Sequence, residues 1–380
     1  MMISLNTKKI KLTLTSLIIL FCVQDVFAFP EMIKHGYVNC TACHVSSSGG
    51  GLLNEYGRNL SAELISTWSN KNEEFFLHGA VNTEKFDKWL SIGGDLRGVQ
   101  AHTDYKDATA HAVDGRWINM QAGIEIGIIQ PKWAAVAFIG EFNSRDRQHK
   151  NEILPYSPRH YFLFNATDEI SIKLGRFQPN FGLNLPDHFL ATRAPLGFGY
   201  VINKNSLEAS YLGENWNLIT SIYNIPSQFG SAYSKGAMVN VMRVLSDKYK
   251  FGLQFLSEVG DSQKRNILGI TSQLGWSEHL VTLVELDRII NEPNNNVESK
   301  GLALTHRTQY EIFKGFNIAA LNDYYQSNLE VGSTKIYKLG PGVIWYPRPH
   351  FDFQLFATRE YRESLSEPGV YAWLMTHYYF

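Results

Sequence analysis

The chain has 380 residues, of which 44% are hydrophobic, 19% charged and 13% aromatic, and its formal net charge is -1. The charged fraction is below the roughly 25% that is typical of globular domains. Because no basic excess is available to neutralise phosphates, the composition argues against nucleic acid as a partner.

The first predicted element is a secretory signal in residues 1–28. It has a positive start, an apolar core and a small residue for cleavage, at Lys8 to Lys11, Leu12 to Val23 and Ala28. The apolar core is shorter than the roughly 20 residues of a membrane-spanning helix, so we expect cleavage and export rather than anchoring. No later stretch is uniformly apolar over that length, and helical membrane spans are therefore not expected.

Residues 40–44 read Cys-Thr-Ala-Cys-His, the attachment pattern of a c-type haem. Two thiols one helical turn apart can form thioethers to the two vinyl groups of the ring, and His44 then lies under the iron as its proximal ligand. Cys40 and Cys43 are the cysteines that remain outside the signal. A zinc site would need four protein ligands, and a redox dithiol would need an adjoining βαβ unit. We therefore predict one covalent haem c, with its iron, at Cys40, Cys43 and His44.

Further haem contacts are less strongly indicated by the sequence. His35 is the nearest candidate for the sixth iron ligand and Met32 a weaker one, although His35 could equally be a loop residue. His78, His377 or an open site with a weakly bound water are alternatives. Arg58 could pair with a haem propionate, or it could be a solvated surface arginine.

Residues 29–75 form the predicted haem-binding segment, and residues 76–87 are a linker. A flexible Ser/Gly strip at 46–51 precedes short helical pieces, with Ser61 as a predicted N-cap. The segment has too few apolar residues for a large core of its own. We therefore expect the haem to hold it together.

From about Lys88 to Phe380 the apolar residues recur with a period of two, as expected for β-strands. In the clearest run, Ile118 to Ile128, apolar side chains occupy one face, and Asn, Gln, Gly and Glu occupy the other. Turn signals such as Gln130-Pro131-Lys132 and Lys314-Gly315 separate the strands. Short and long links both occur, which is typical of an outer-membrane barrel with short turns on one rim and longer loops on the other.

A soluble β-sandwich or lipocalin-like barrel would also show alternating apolar and polar residues. However, roughly 290 residues of strands exceed the usual length of a single soluble β domain. The last strand, Val370 to Phe380, ends on an aromatic residue and is similar to the terminal strand of bacterial outer-membrane proteins. We predict an all-β fold, a transmembrane antiparallel barrel of 14 or 16 strands over residues 88–380, behind a small, partly helical monohaem segment. Its partners would include the lipid of the bacterial outer membrane.

An exported Cys-x-x-Cys-His segment joined to a barrel resembles the fused cytochrome-porin family, whose best-known members are outer-membrane iron oxidases. The local match covers Cys40 to His44 and Leu53-x-x-Tyr56-Gly57-Arg58, which is similar to the family's Leu-x-x-Phe-Gly-Arg stretch. Ile33-Lys34-His35 stands where that family typically carries Arg-Gln-Thr, so iron oxidation itself is not carried over. The resemblance implies one haem, an outer-membrane location and electron exchange across that membrane.

A single haem cannot bridge the about 30 Å apolar layer of a bilayer as a chain of haems would, so the haem segment should sit within or at the mouth of the barrel. We then expect electron transfer between an extracellular donor or acceptor and a periplasmic cytochrome or other redox protein. The sequence does not decide whether the chain is also an oxidoreductase that acts on an extracellular metal or small redox partner. The alternative function is a passive solute porin whose haem segment acts as a plug or anchor. A haem-based sensor or peroxidase ranks last.

Overall fold

The computed structural model describes residues 30–70, 73, 89–107, 109–142, 157, 159–198, 203–225, 232–294 and 297–380. The predicted signal, the predicted linker and His78 lie outside these residues. Within the described ranges, no helix has both the length and the apolar character needed to cross a bilayer.

Sixteen antiparallel strands among the described residues form one closed barrel, in which each strand pairs with its neighbours in sequence and the first pairs with the last. The first eight are β1 (Leu90–Lys106), β2 (His111–Gln130), β3 (Trp133–Phe142), β4 (His160–Asn165), β5 (Ile170–Phe177), β6 (Lys204–Leu212), β7 (Trp216–Asn224) and β8 (Lys235–Ser246). The others are β9 (Tyr249–Val259), β10 (Gln263–Gly275), β11 (Leu280–Pro293), β12 (Ser299–Phe313), β13 (Phe316–Gln326), β14 (Lys335–Trp345), β15 (Phe351–Arg362) and β16 (Gly369–Tyr379). The predicted all-β barrel is confirmed, with 16 strands rather than 14.

The alternating pattern decides which face of each strand meets the lumen. In β2, Ile124, Ile126 and Ile128 are 39% to 49% exposed on the outer surface, whereas Glu125 between them points into the lumen and is 3% exposed. A slip of one residue would turn all these apolar side chains inward, so the pattern itself specifies the register. Exposed aromatic side chains form a girdle at the rim of short turns, namely Trp89, Trp133, Trp216, Trp276, Phe313 and Phe351.

Residues 30–70, here the N-terminal segment, lie inside the barrel near the rim of short turns. They form a 3-10 helix (Pro30–His35), a 3-10 turn (Cys40–Ala42), the helix α1 (Glu55–Leu60) and a π-helical turn (Ser61–Ile65). Side-chain hydrogen bonds to strands around the barrel hold the segment in place. Lys34 Nζ donates to Glu311 of β12 at 2.6 Å, and Ser47 Oγ donates to Ser210 of β6 at 3.2 Å.

The cap of α1 differs from the predicted one. Asn54 Oδ1 accepts a hydrogen bond from the Gly57 N–H at 2.8 Å, so Asn54 is the N-cap. The prediction that Ser61 is an N-cap is wrong, because the helical backbone runs through this residue. Its hydroxyl instead accepts the His350 N–H at 2.8 Å and contacts Tyr379 Oη at 3.0 Å, which docks α1 against the last strand.

Residues 178–198, here the inward loop, leave β5 and fold back across the lumen. The Leu183 N–H donates to Glu285 at 2.8 Å, and Asp187 accepts from Arg307 at 2.9 Å. Together with the N-terminal segment, this loop covers lumen-facing side chains on the far wall, including Glu285, which has no exposed surface. A water-filled channel would leave such side chains exposed, so the lumen of this structure is largely filled.

Lys34 and Glu311 provide a test of how firmly the N-terminal segment is held. Their side chains are only 6% and 8% exposed, and we expect Lys34→Ala to cost about 3–5 kcal/mol because it leaves Glu311 buried without its cation. The matched control is Lys264→Ala, which breaks an ion pair whose lysine is 46% exposed and should cost about 1 kcal/mol or less. Urea titration followed by limited proteolysis measures both, and equal losses would contradict the docking described here.

Candidate haem site

A cavity of about 210 Å³, partly open to solvent, lies between the N-terminal segment and the inward loop. Cys40 and His44 line it from the N-terminal segment, while His188 and Arg193 line it from the inward loop. Strands β1, β2 and β16 contribute side chains on one side and β7 to β9 on the other. The cavity therefore brings together residues that are far apart in the sequence.

The Cys-x-x-Cys-His motif forms one tight turn at the edge of this cavity. The His44 N–H donates to the Cys40 carbonyl at 3.1 Å, and the thiols of Cys40 and Cys43 are both free of disulfides. Cys43 is 7% exposed and packs in an apolar cluster with Leu53. The helix α1 packs so closely that a Cβ on Gly57 would lie 2.8 Å from the Cys43 Cβ, which explains why glycine stands at this position.

His44 is oriented by the backbone of the loop that follows it. Its Nδ1 donates to the Gly51 carbonyl at 3.1 Å, which leaves Nε2 as the nitrogen with a lone pair. Burial lowers the pKa of the His44 imidazole to about 4, and the nearby Arg159 guanidinium acts in the same direction. His44 is therefore neutral near pH 7, which is the protonation state that binds a metal ion.

The residues around the motif fit a covalently bound haem. Gly49 has φ +77°, and a Cβ there would lie 3.0 Å from Cys40 Sγ, so this glycine keeps space open beside the sulfur. Two free thiols one turn apart and a neutral imidazole with a lone pair on Nε2 are the donor set of haem c. The described residues contain no group of three or more His, Cys, Asp or Glu side chains placed to hold a metal ion.

The structure does not bring the other predicted site residues to the cavity. His35 lies 3.8 Å from Glu311, and Met32 is buried in the apolar cluster. Arg58 donates from Nη1 to the Ile92 carbonyl at 3.0 Å and from Nη2 to Ser91 Oγ at 3.3 Å, so it ties the segment to β1. The roles predicted for His35, Met32 and Arg58 as haem contacts remain predictions.

Two other histidines do line the cavity, together with His44. His377 is one of the alternative sixth iron ligands predicted from the sequence; its Nδ1 lies 2.7 Å from Asp352 and its Nε2 lies 3.2 Å from Asp95. His188 was not singled out by any local motif. Burial, followed by the positive charges of Arg97 and Arg193, lowers the pKa of His188 to about 3. The unusual length of the link between β5 and β6 was the available signal for this part of the site.

Gly49 and its neighbour Gly50 give a matched pair of variants. Both have positive φ, +77° and +71°, so an alanine at either position is strained by a similar amount, about 1–2 kcal/mol. A Cβ at Gly50 meets nothing within 4 Å, whereas one at Gly49 crowds Cys40 Sγ. We expect Gly49→Ala to lower the ratio of bound haem to protein severalfold and Gly50→Ala to leave it close to wild type, as measured by in-gel haem staining. Equal ratios would show that the space beside Cys40 is not used.

The barrel can be compared with known proteins. No protein-family model matches the chain, and no curated protein matches it significantly. Solved outer-membrane channels share its architecture. The fold is that of the outer-membrane porins. The channel DcaP of Acinetobacter baumannii is 11% identical over 77% of this chain and 97% of its own, with a TM-score of 0.56.

Two other structures give the same result. OmpT of Vibrio cholerae is 9% identical over 77% of this chain and 97% of its own, with a TM-score of 0.57. OprB of Pseudomonas putida is 11% identical over 84% of this chain and 99% of its own, with a TM-score of 0.56. At these identities the likeness describes the fold alone.

Proposed function

We propose that this chain is an outer-membrane electron-transfer protein with one haem c bound to Cys40, Cys43 and His44 in the lumen of its barrel. The main support is that two free thiols and a neutral, oriented imidazole share one turn, from which Cys40 and His44 line a cavity in the lumen. When bound, haem supplies one-electron oxidation and reduction. The two thiols would anchor it, His44 Nε2 would face the iron, and the surrounding segment and loop would exclude water from it.

The position of the N-terminal segment suggests the side on which electrons are exchanged. The segment lies near the rim of short turns, and in bacterial outer-membrane barrels this rim faces the periplasm. The proposed partner on that side is a periplasmic cytochrome or other redox protein. An extracellular donor or acceptor would approach from the rim of longer loops, where the inward loop separates the cavity from solvent.

Location and export form part of the same proposal. The porin fold, the apolar outer face and the aromatic girdle support contact with outer-membrane lipid. Export through a cleaved signal in residues 1–28 is required for this location. The architecture, a Cys-x-x-Cys-His segment inside a barrel, is also what the resemblance to fused cytochrome-porin proteins implies.

The second candidate function is a passive solute porin in which the N-terminal segment acts as a plug or anchor. The similar solved structures favour it, since DcaP is an outer-membrane channel. A filled lumen disfavours steady solute flow, because lumen-facing side chains such as Glu285 and Thr305 have no exposed surface. The two candidates differ in what crosses the membrane, electrons or solutes.

Vesicles reconstituted with the protein and loaded with a soluble c-type cytochrome separate these functions. A reduced protein donor, too large to enter the barrel, is added outside, and the absorbance of the trapped cytochrome is followed. We expect reduction with wild type and none with His44→Ala, while His279→Ala, which changes an exposed histidine outside the cavity, retains the rate. Leakage of a trapped small solute without electron transfer would support the porin and contradict our proposal.

A further inference from the structure

Arg193, on the inward loop, is buried in an unusual setting. Its side chain is 2% exposed and lines the same cavity as Cys40 and His44. Nη2 donates to Asn184 Oδ1 at 3.1 Å, but Nε and Nη1 have no hydrogen-bond partner among the described residues. Buried polar groups are rarely left without partners, because the loss of hydration costs about 1–3 kcal/mol and more for charged groups.

The carboxylates around Arg193 do not accept hydrogen bonds from its Nε and Nη1. Asp187 pairs with Arg307 at 2.9 Å, and within the described chain no carboxylate forms an ion pair with Arg193. Burial lowers the pKa of Arg193 to about 10, although the charges of Glu285, Asp287 and Asp187 raise it. The guanidinium is thus only partly compensated by the protein itself, and an anion in the cavity would complete its contacts.

Arg97 of β1 lines the same cavity and contacts Asp95 and His377, but it also keeps a guanidinium nitrogen without a partner. Its Nη2 lies 3.5 Å from Asp95 Oδ2, and its Nε has no hydrogen-bond partner in the described structure. The charges of Arg97 and Arg193 both lower the pKa of His188, so both guanidinium groups lie near this histidine. Arg159, by contrast, is fully engaged with Glu125 through two bonds of 2.8 and 2.9 Å. Two guanidinium groups of the cavity therefore retain donors for carboxylates.

We propose that Arg193, assisted by Arg97, binds the propionate carboxylates of the haem attached at Cys40 and Cys43. This inference rests on the proposed function. It gives Arg193 and Arg97 the part that the sequence suggested for Arg58, whose guanidinium instead bonds to β1. Both are positioning residues: they hold the edge of the ring opposite the thioether bonds and place positive charge beside it. The positive charge favours the reduced form of the haem and so raises its midpoint potential.

The test measures midpoint potential by spectroelectrochemistry and propionate bending bands by resonance Raman spectroscopy, on the full-length protein in detergent. We expect Arg193→Gln to move the potential to more negative values and to shift a propionate band. Arg193→Lys keeps the charge, so it should restore most of the potential while the band stays shifted. Arg243→Gln is the matched control, because Arg243 faces outward against Trp216 and the Asn215 carbonyl.

The outcomes separate this inference from the function on which it rests. Haem staining of wild type is read first, and a wild-type protein without haem would overturn both. If wild type carries haem but Arg193→Gln has the wild-type potential and Raman bands, the propionate assignment is wrong while the haem proposal stands. A shift equal to that of Arg243→Gln would also overturn the assignment, since it would reflect net charge alone. Retained heat-modifiability on gels verifies that each variant is folded.

Discussion

Replacement of both Cys40 and Cys43 with serine is expected to abolish covalent haem completely and to leave the barrel folded. A thioether needs the cysteine sulfur, and these are the two cysteines of the chain beyond the predicted signal. The strands pair with one another, not with the motif, so barrel closure does not depend on either thiol. In-gel haem staining of outer-membrane fractions measures the loss, and heat-modifiability of the same band reports the fold.

The matched control for this double variant is Thr41→Ser. Thr41 lies between the two cysteines and is exposed, so serine changes the motif without changing its sulfur atoms. We expect full haem staining from it. Staining that persists in the double serine variant would mean that any haem is bound elsewhere, and the proposed site would be wrong.

Deletion of residues 30–70 is expected to open the barrel. The N-terminal segment fills the lumen near the short turns, and its removal exposes lumen-facing groups such as Glu125 and Lys173 to water. Single-channel recordings in planar bilayers should change from a closed level for wild type to stable open-channel currents for the deletion.

The double serine variant is the control for this second experiment as well. It lacks the haem thioethers but keeps the segment, so its conductance should stay near the wild-type level. Large open currents in wild type itself would show that the lumen conducts with the segment in place, and this would favour the passive porin. Unchanged currents after the deletion would show that the segment does not block the lumen.

The barrel was predictable because its sequence rule is local. Period-two alternation arises when one face meets lipid and the other meets the lumen, and it needs no knowledge of distant partners. The predicted turns at Gln130-Pro131-Lys132 and Lys314-Gly315 lie between β2 and β3 and between β12 and β13. Alternation alone does not define where long links begin, so the sequence predicts 14 or 16 strands and does not distinguish between these two numbers.

The inward loop could not be predicted in the same way. Its side chains are buried by contacts with strands more than a hundred residues away, such as that between Asp187 and Arg307. Neither periodicity nor composition reports such a contact. The same limit applies to the cavity: Cys40, Cys43 and His44 form a local motif and were found, whereas Arg193 and His188 join them only through the tertiary fold. Arg58, close in sequence to the motif, turned out to hold the segment to β1.

The most direct test of the account is the intact mass of the mature protein, purified from outer membranes in detergent and treated with a thiol-alkylating reagent. Our account predicts the mass of the processed chain plus one haem, with no alkylated cysteine, and a red sample with the absorption spectrum of haem c. A colourless protein whose mass corresponds to the bare chain with Cys40 and Cys43 both alkylated would contradict it.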